Sequence, residues 1–134
     1  GGPIYYYDVS LNTTLGVPNT ATRTPALAIN STNFTGTTQA PTIVDGFVIS
    51  QGHGHTVAFG CNDIGSATQN RMLIRWSDRH NPFKWLPNAS GEAGGDVLRH
   101  GSSIMGAIPT KDEIVIFTDT AVYSMRYVRY PEVY

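Results

Sequence analysis

The chain has 134 residues, enough for one modest core or for a piece of a larger fold, and nine basic against ten acidic residues leave a net charge of −1. Its basic residues, Arg126 and Arg129 among them, are scattered and form no patch, which excludes tight binding to nucleic acid through phosphate neutralisation. Fourteen glycines and eight prolines against only 14% charged residues describe a turn-rich, helix-poor chain, and a single cysteine excludes an internal disulfide framework.

In chain order, residues 1–12 open with "GGPIYYYDVS", an aromatic strand candidate. Residues 13–41 are rich in Thr, Asn and Pro and read as a long exposed connection, with at most a short helix at "PALAIN". From residue 42 to residue 134 the character changes: short apolar runs alternate with turn signals, as in an all-β domain. The strand candidates are "PTIVDGFVIS", "HTVAFG", "MLIRWSD", "FKWLP", "SIMGAIP", "EIVIFTD" and "AVYSMRYV", whereas "AGGDVLRHGSS" reads as a glycine-rich connection. Four apolar residues in a row from Ile114 to Phe117 predict a strand buried on both faces. Beyond a tight turn at Asp119, alternation puts Tyr123, Met125 and Tyr127 on one side and Ser124 and Arg126 on the other.

An internal echo sharpens the architecture. "VISQGHGHTVAFGCND" and "GAIPTKDEIVIFTDTA" share a plan of apolar strand, polar turn, second strand and Asp-containing turn, each followed by a further strand. Such a unit recurring along the chain predicts β-propeller-like blades of short antiparallel strands, with a β-sandwich as the alternative. A chain that starts at Gly1 and runs out at "RYPEVY" reads as an excerpt of a larger propeller, and no run of 18 apolar residues or signal peptide predicts membrane insertion.

Five segments in this order, "GGPIYYYD", "HTVAFGCND", "IRWSDRHNPFKWLP", "AGGDVLRHGSSI" and "DEIVIFTDTAVYSMRYV", resemble tailed-phage virion proteins of the tail nozzle or tail-hub type of short-tailed phages. The resemblance implies a propeller-containing structural subunit of the virion, assembled as a homo-oligomeric ring, often a hexamer. It also implies portal, adaptor and other tail proteins as partners, with double-stranded DNA passing through the ring without sequence-specific contact. It implies no enzyme, no cofactor and no small-molecule substrate. The chain departs from the family pattern at Tyr7, near His80 and at Arg129-Tyr130-Pro131.

Candidate site residues follow from the turns. Ser77 and Asp78 in "RWSDRHNPFKW" are side chains that bond nearby backbone N–H groups, and Trp76 and Trp85 offer large apolar faces, so the four are expected to clamp that loop. Were either Trp exposed beside two carboxylates, carbohydrate binding or processing would be the alternative function. Asp119 is expected to close its hairpin turn. His53 and His55 are expected to cap a hairpin, with zinc binding alongside Cys61, His80 or His100 as the alternative, although no metal-motif spacing is present. Asp45, Asp63, Asp96 and Glu113 fall in turn contexts, Cys61 reads as a packing residue, and no nucleophile with a matching base is present, so no catalytic residue is assigned. Sequons at Asn12, Asn30, Asn33 and Asn88 leave a secreted glycoprotein module as a third reading.

Overall fold

Two antiparallel meanders, consecutive in the chain, pack face to face. The computed structural model describes residues 2–6, 13–14, 17–18 and 26–128, and among them there is no helix, as the all-β reading expects. The first meander is a four-stranded sheet of β5 (Gly46–Ile49), β6 (Thr56–Phe59), β7 (Leu73–Trp76) and β8 (Gly94–Val97), in that order. The second is three-stranded, with β10 (Glu113–Thr118) between β9 (Ile104–Pro109) and β11 (Val122–Arg126). The sequence echo is therefore physical: β5–β6–β7 and β9–β10–β11 are the same three-strand meander twice. N-terminal to both, β1 (Tyr5–Tyr6) pairs with β4 (Leu27–Ala28), and β2 (Thr13–Thr14) with β3 (Val17–Pro18).

Side chains alternate across the first sheet, and both of its faces are used at the centre. Val57, Phe59, Ile74 and Trp76 face the second sheet, where Ile104, Ile114, Ile116 and Met125 meet them. Each such aliphatic side chain, fully withdrawn from water, contributes about 1.5–3 kcal/mol. On the opposite face Ala58, Cys61 and Leu73 are covered by Ile4, Ile29, Val44 and Trp85. Here a cluster of Tyr6, Phe34 and Phe83, with centroids 5.0–5.5 Å apart and Tyr6 edge-on to both phenylalanines, closes the layer.

Four expectations are corrected. The strand buried on both faces is not β10 but β6 and β7; in β10 burial alternates, with Ile114 and Ile116 inside and Phe117 37% exposed on the outer face. An unbroken apolar run was a misleading signal because Val115 and Phe117 occupy a face that this chain leaves open. "AGGDVLRHGSS" contains β8, whose glycines are placed by packing: a Cβ on Gly94 would lie 2.8 Å from the Trp76 ring, so only a bare backbone lets that strand close against β7. "FKWLP" is a loop held by one parallel bridge from Lys84 to Thr38, and "PALAIN" contains the strand β4, pulled out of helix by its pairing with the aromatic β1. The alternation in β11 is as read, with Tyr123, Met125 and Tyr127 turned inward and Ser124 and Arg126 exposed.

Candidate functional site

The loop between β7 and β8 is the joint of the molecule. Ser77 is fully buried; its backbone N–H donates to Thr56 O at 3.0 Å, and its Oγ accepts from Thr56 N at 3.0 Å while donating to Asp78 O. Asp78 Oδ1 accepts from Glu92 N and Ala93 N, both at 2.8 Å, and so pins the far end of the loop next to its start. Ser77 and Asp78 thus bond backbone groups at both ends of the loop through their side chains. Trp76 and Trp85 do not share one face: Trp76 sits in the inter-sheet core with its Nε1–H on Glu92 O at 2.8 Å, and Trp85 is buried on the opposite face with its Nε1–H on Pro82 O at 2.8 Å. Trp85 is enclosed, and Trp76 keeps only a small exposed area beside the cavity that β11 borders.

The joint presents Glu92 to the second sheet. Tyr127, just past β11, donates its hydroxyl to Glu92 Oε1 at 2.9 Å and accepts from an Arg79 guanidinium N–H at 3.1 Å. The same Arg79 nitrogen donates to His53 Nδ1 at 3.1 Å, and the His53 ring stacks on Tyr127 with centroids 3.9 Å apart. His55 is buried beneath them, with Nδ1–H donating to Ser77 O at 2.8 Å and Nε2 lying 3.0 Å from Glu92 Oε2. Burial pushes the His55 pKa below the ordinary histidine value, against the Ser77 carbonyl and the Glu92 carboxylate, which favour the cation. The Glu92 hydrogen bond, then partial burial, raises the Tyr127 hydroxyl above its usual range. His53 and His55 thus form part of an inter-sheet polar joint and not merely a hairpin cap. Among the described residues, no three His, Cys, Asp or Glu side chains converge as a metal ligand set.

Asp119 does more than turn a hairpin. Within the turn, Thr118 Oγ1 accepts from the Thr120 and Ala121 N–H groups; the Asp119 carboxylate instead reaches back to the N–H and hydroxyl of Ser102, tying the turn to the crossover between the sheets. Those hydrogen bonds hold its carboxyl below the usual range. At the opposite end of the spectrum of exposure, Arg75 is buried, donating to the Asn62 and Gln39 carbonyls and lying over the Trp85 ring at 5.9 Å. Glu92, Arg79 and Arg75 carried no sequence signal of their own. Tyr127 did, through alternation, which placed it on the inner side.

Among the described residues, two apolar patches lie on opposite outer sides of the pair of sheets. The outer face of the second sheet exposes Met105, Ile108, Phe117 and Val122. The far face of the first sheet exposes Phe47 and Ile49 on β5, the strand that the N-terminal layer leaves bare. Comparison with protein-family models, with curated proteins and with solved structures finds no match.

Proposed function

We propose that this chain is a non-enzymatic structural module of a phage virion, a stacked-sheet subunit of the tail nozzle or hub that assembles head to tail into a ring around the DNA path. The observation that carries the assembly part is the pair of unlike apolar patches, Met105/Ile108/Phe117/Val122 on one outer face and Phe47/Ile49 on the other. Because the two patches differ and point in opposite directions, contact between them is heterologous, and repeated heterologous contacts generate rings when the rotation closes. The virion assignment rests on the five ordered segments that resemble tail proteins. A net charge of −1 suits a conduit wall along which duplex DNA slides without being retained by counterion release. The burial of Trp76 and Trp85 weighs against carbohydrate recognition, which needs an open aromatic face.

Electron microscopy of the purified protein, with the parent particle imaged in parallel, tests this reading. Rings with a channel that passes duplex DNA, matching density at the tail vertex, are the expected result. Ile108→Lys with Phe117→Lys should abolish rings, and so should Phe47→Lys alone, because each removes one half of the contact. Compact monomers with no counterpart in a particle would sink the proposal.

A further inference from the structure

The hairpin between β5 and β6, the loop between β7 and β8 and the end of β11 meet at one side chain, Arg79. Its guanidinium is half-exposed, yet several contacts hold it. One terminal nitrogen donates to His53 Nδ1 and to the Tyr127 hydroxyl, both at 3.1 Å; Nε lies 3.7 Å from Glu92 Oε2; and the group sits 5.4 Å from the centre of the Tyr127 ring.

Proton positions in this cluster follow from groups whose roles cannot change. A guanidinium only donates, so His53 Nδ1 accepts and carries no hydrogen. A carbonyl only accepts, so His55 Nδ1 carries the hydrogen that Ser77 O receives at 2.8 Å. A proton added to His53 therefore enters at Nδ1, where it turns the acceptor into a donor facing the Arg79 N–H and sets two cations in contact. A proton added to His55 enters at Nε2, 3.0 Å from Glu92 Oε2 and so nearer to it than Arg79 Nε is, and draws that carboxylate to itself. The two protonations weaken two different holds on the same guanidinium.

Among the described residues, the other titratable groups around the cluster are Asp78 and His80 on the β7–β8 loop and Asp112 and Glu113 at the β9–β10 turn, beside His53 and Tyr127. The Asp78 carboxylate is turned to Glu92 N and Ala93 N, the His80 ring lies against Gly54, and Glu113 is held by Ser124 and Arg126. None of these four supplies Arg79 with a substitute acceptor.

We infer that Arg79 is an acid-released latch: at neutral pH it ties the β5–β6 hairpin and the β7–β8 loop to the end of β11, and protonation of His53 and His55 expels it into solvent. Release leaves the Tyr127–Glu92 bond in place, so acid loosens this end of the sheet pair without separating it. The latch lies within one chain and does not depend on the assembly proposed above.

The test is the stability that Arg79 contributes, read as the difference in urea midpoint between the unaltered protein and Arg79→Met, from about pH 8 to about pH 5, a range that brackets the ordinary histidine pKa. The difference should favour the unaltered protein at the alkaline end and be lost at the acid end. In His53→Gln, whose side-chain carbonyl accepts from Arg79 but takes up no proton, the same difference should shrink less. Nitrogen NMR of the unaltered protein reads the event directly: rotation of the Arg79 terminal groups, slow while they are held, should become fast with the midpoint of the His53 ring titration. A midpoint difference that is absent at the alkaline end, or that is the same or larger at the acid end, overturns the inference. So does Arg79 rotation that does not follow the histidine titration.

Discussion

Tyr127 and Glu92, 35 residues apart in the chain, are joined hydroxyl to carboxylate at 2.9 Å, and this bond fastens the last strand of the second sheet to the loop that enters β8. The Glu92 contact holds the phenol in its protonated form and raises its pKa above 10.0. A group whose folded pKa is raised contributes stability that is complete below the unfolded value and is lost as pH rises through the folded one. In a spectrophotometric titration one tyrosine should ionise later than the rest, and Tyr127→Phe should remove that late component while lowering Tm. An unchanged titration curve in Tyr127→Phe would show that the bond does not persist in solution.

His55 sets the acid side. Its pKa is lowered from 6.5 by burial, among His53, Arg79, Glu92 and Tyr127, so below that value the unfolded chain takes up the proton more readily than the folded one. Stability should therefore fall as pH is lowered from about 7 towards 5, the window opened by an ordinary histidine pKa. Urea midpoints across that range should show a slope that flattens in His55→Gln, even though the variant is less stable throughout. A midpoint that rises on acidification contradicts the assignment.

The Cys61 thiol is fully buried, its Sγ 3.7 Å from Leu73 O, and burial pushes its pKa up to about 11. The thiolate is the reactive form, so the folded protein at mildly alkaline pH should resist iodoacetamide and react only after denaturation. Prompt labelling under native conditions would mean that the layer over β6 opens far more easily than its packing implies.

Gly54 and Gly52 separate two costs. Both have positive φ, +68° and +87°, but a Cβ at Gly52 meets nothing within 4 Å, whereas one at Gly54 would lie 2.1 Å from His80 Nδ1. Gly52→Ala should cost about 1 kcal/mol from backbone strain alone. Gly54→Ala should cost measurably more, and His80→Ala should recover the excess; denaturant titration of the double variant is the check. If the double variant is no better than Gly54→Ala, the clash is not the cause.

Truncating the two indoles should rank them. Trp85 is 1% exposed and enclosed by its layer, so Trp85→Ala should destabilise towards the top of the range of about 3–5 kcal/mol for such changes. Trp76 already borders a cavity, and Trp76→Ala should fall nearer the bottom of that range. Equilibrium unfolding gives both values, and the reverse order would mean that the cavity closes over Trp76 in solution.

Much of this fold was legible because its elements obey local rules. The period-two pattern of residues 122–128 placed Tyr127 inward, and the repeated strand-turn-strand plan marked two equivalent meanders. β8 was not legible, because the glycines that let it lie against Trp76 are poor strand formers when read alone. The burial of β10 on one face only was equally hidden, since an apolar residue on an open face looks the same in sequence as one in a core. In the joint, the turn chemistry of Ser77 and Asp78 was visible from residue type. The convergence of His53, His55, Arg79 and Glu92 was not, since it depends on how two sheets meet.

Because each sheet is a meander of sequence neighbours, the order of events during synthesis is set by chain position. All of β5 to β8 is synthesised about 30 residues before β11 is complete. Throughout that interval Val57, Phe59, Ile74 and Trp76 have no partner layer and face water. Until β9 to β11 are made, nothing in the chain can cover that face, and slow translation between residues 98 and 126 would prolong its exposure.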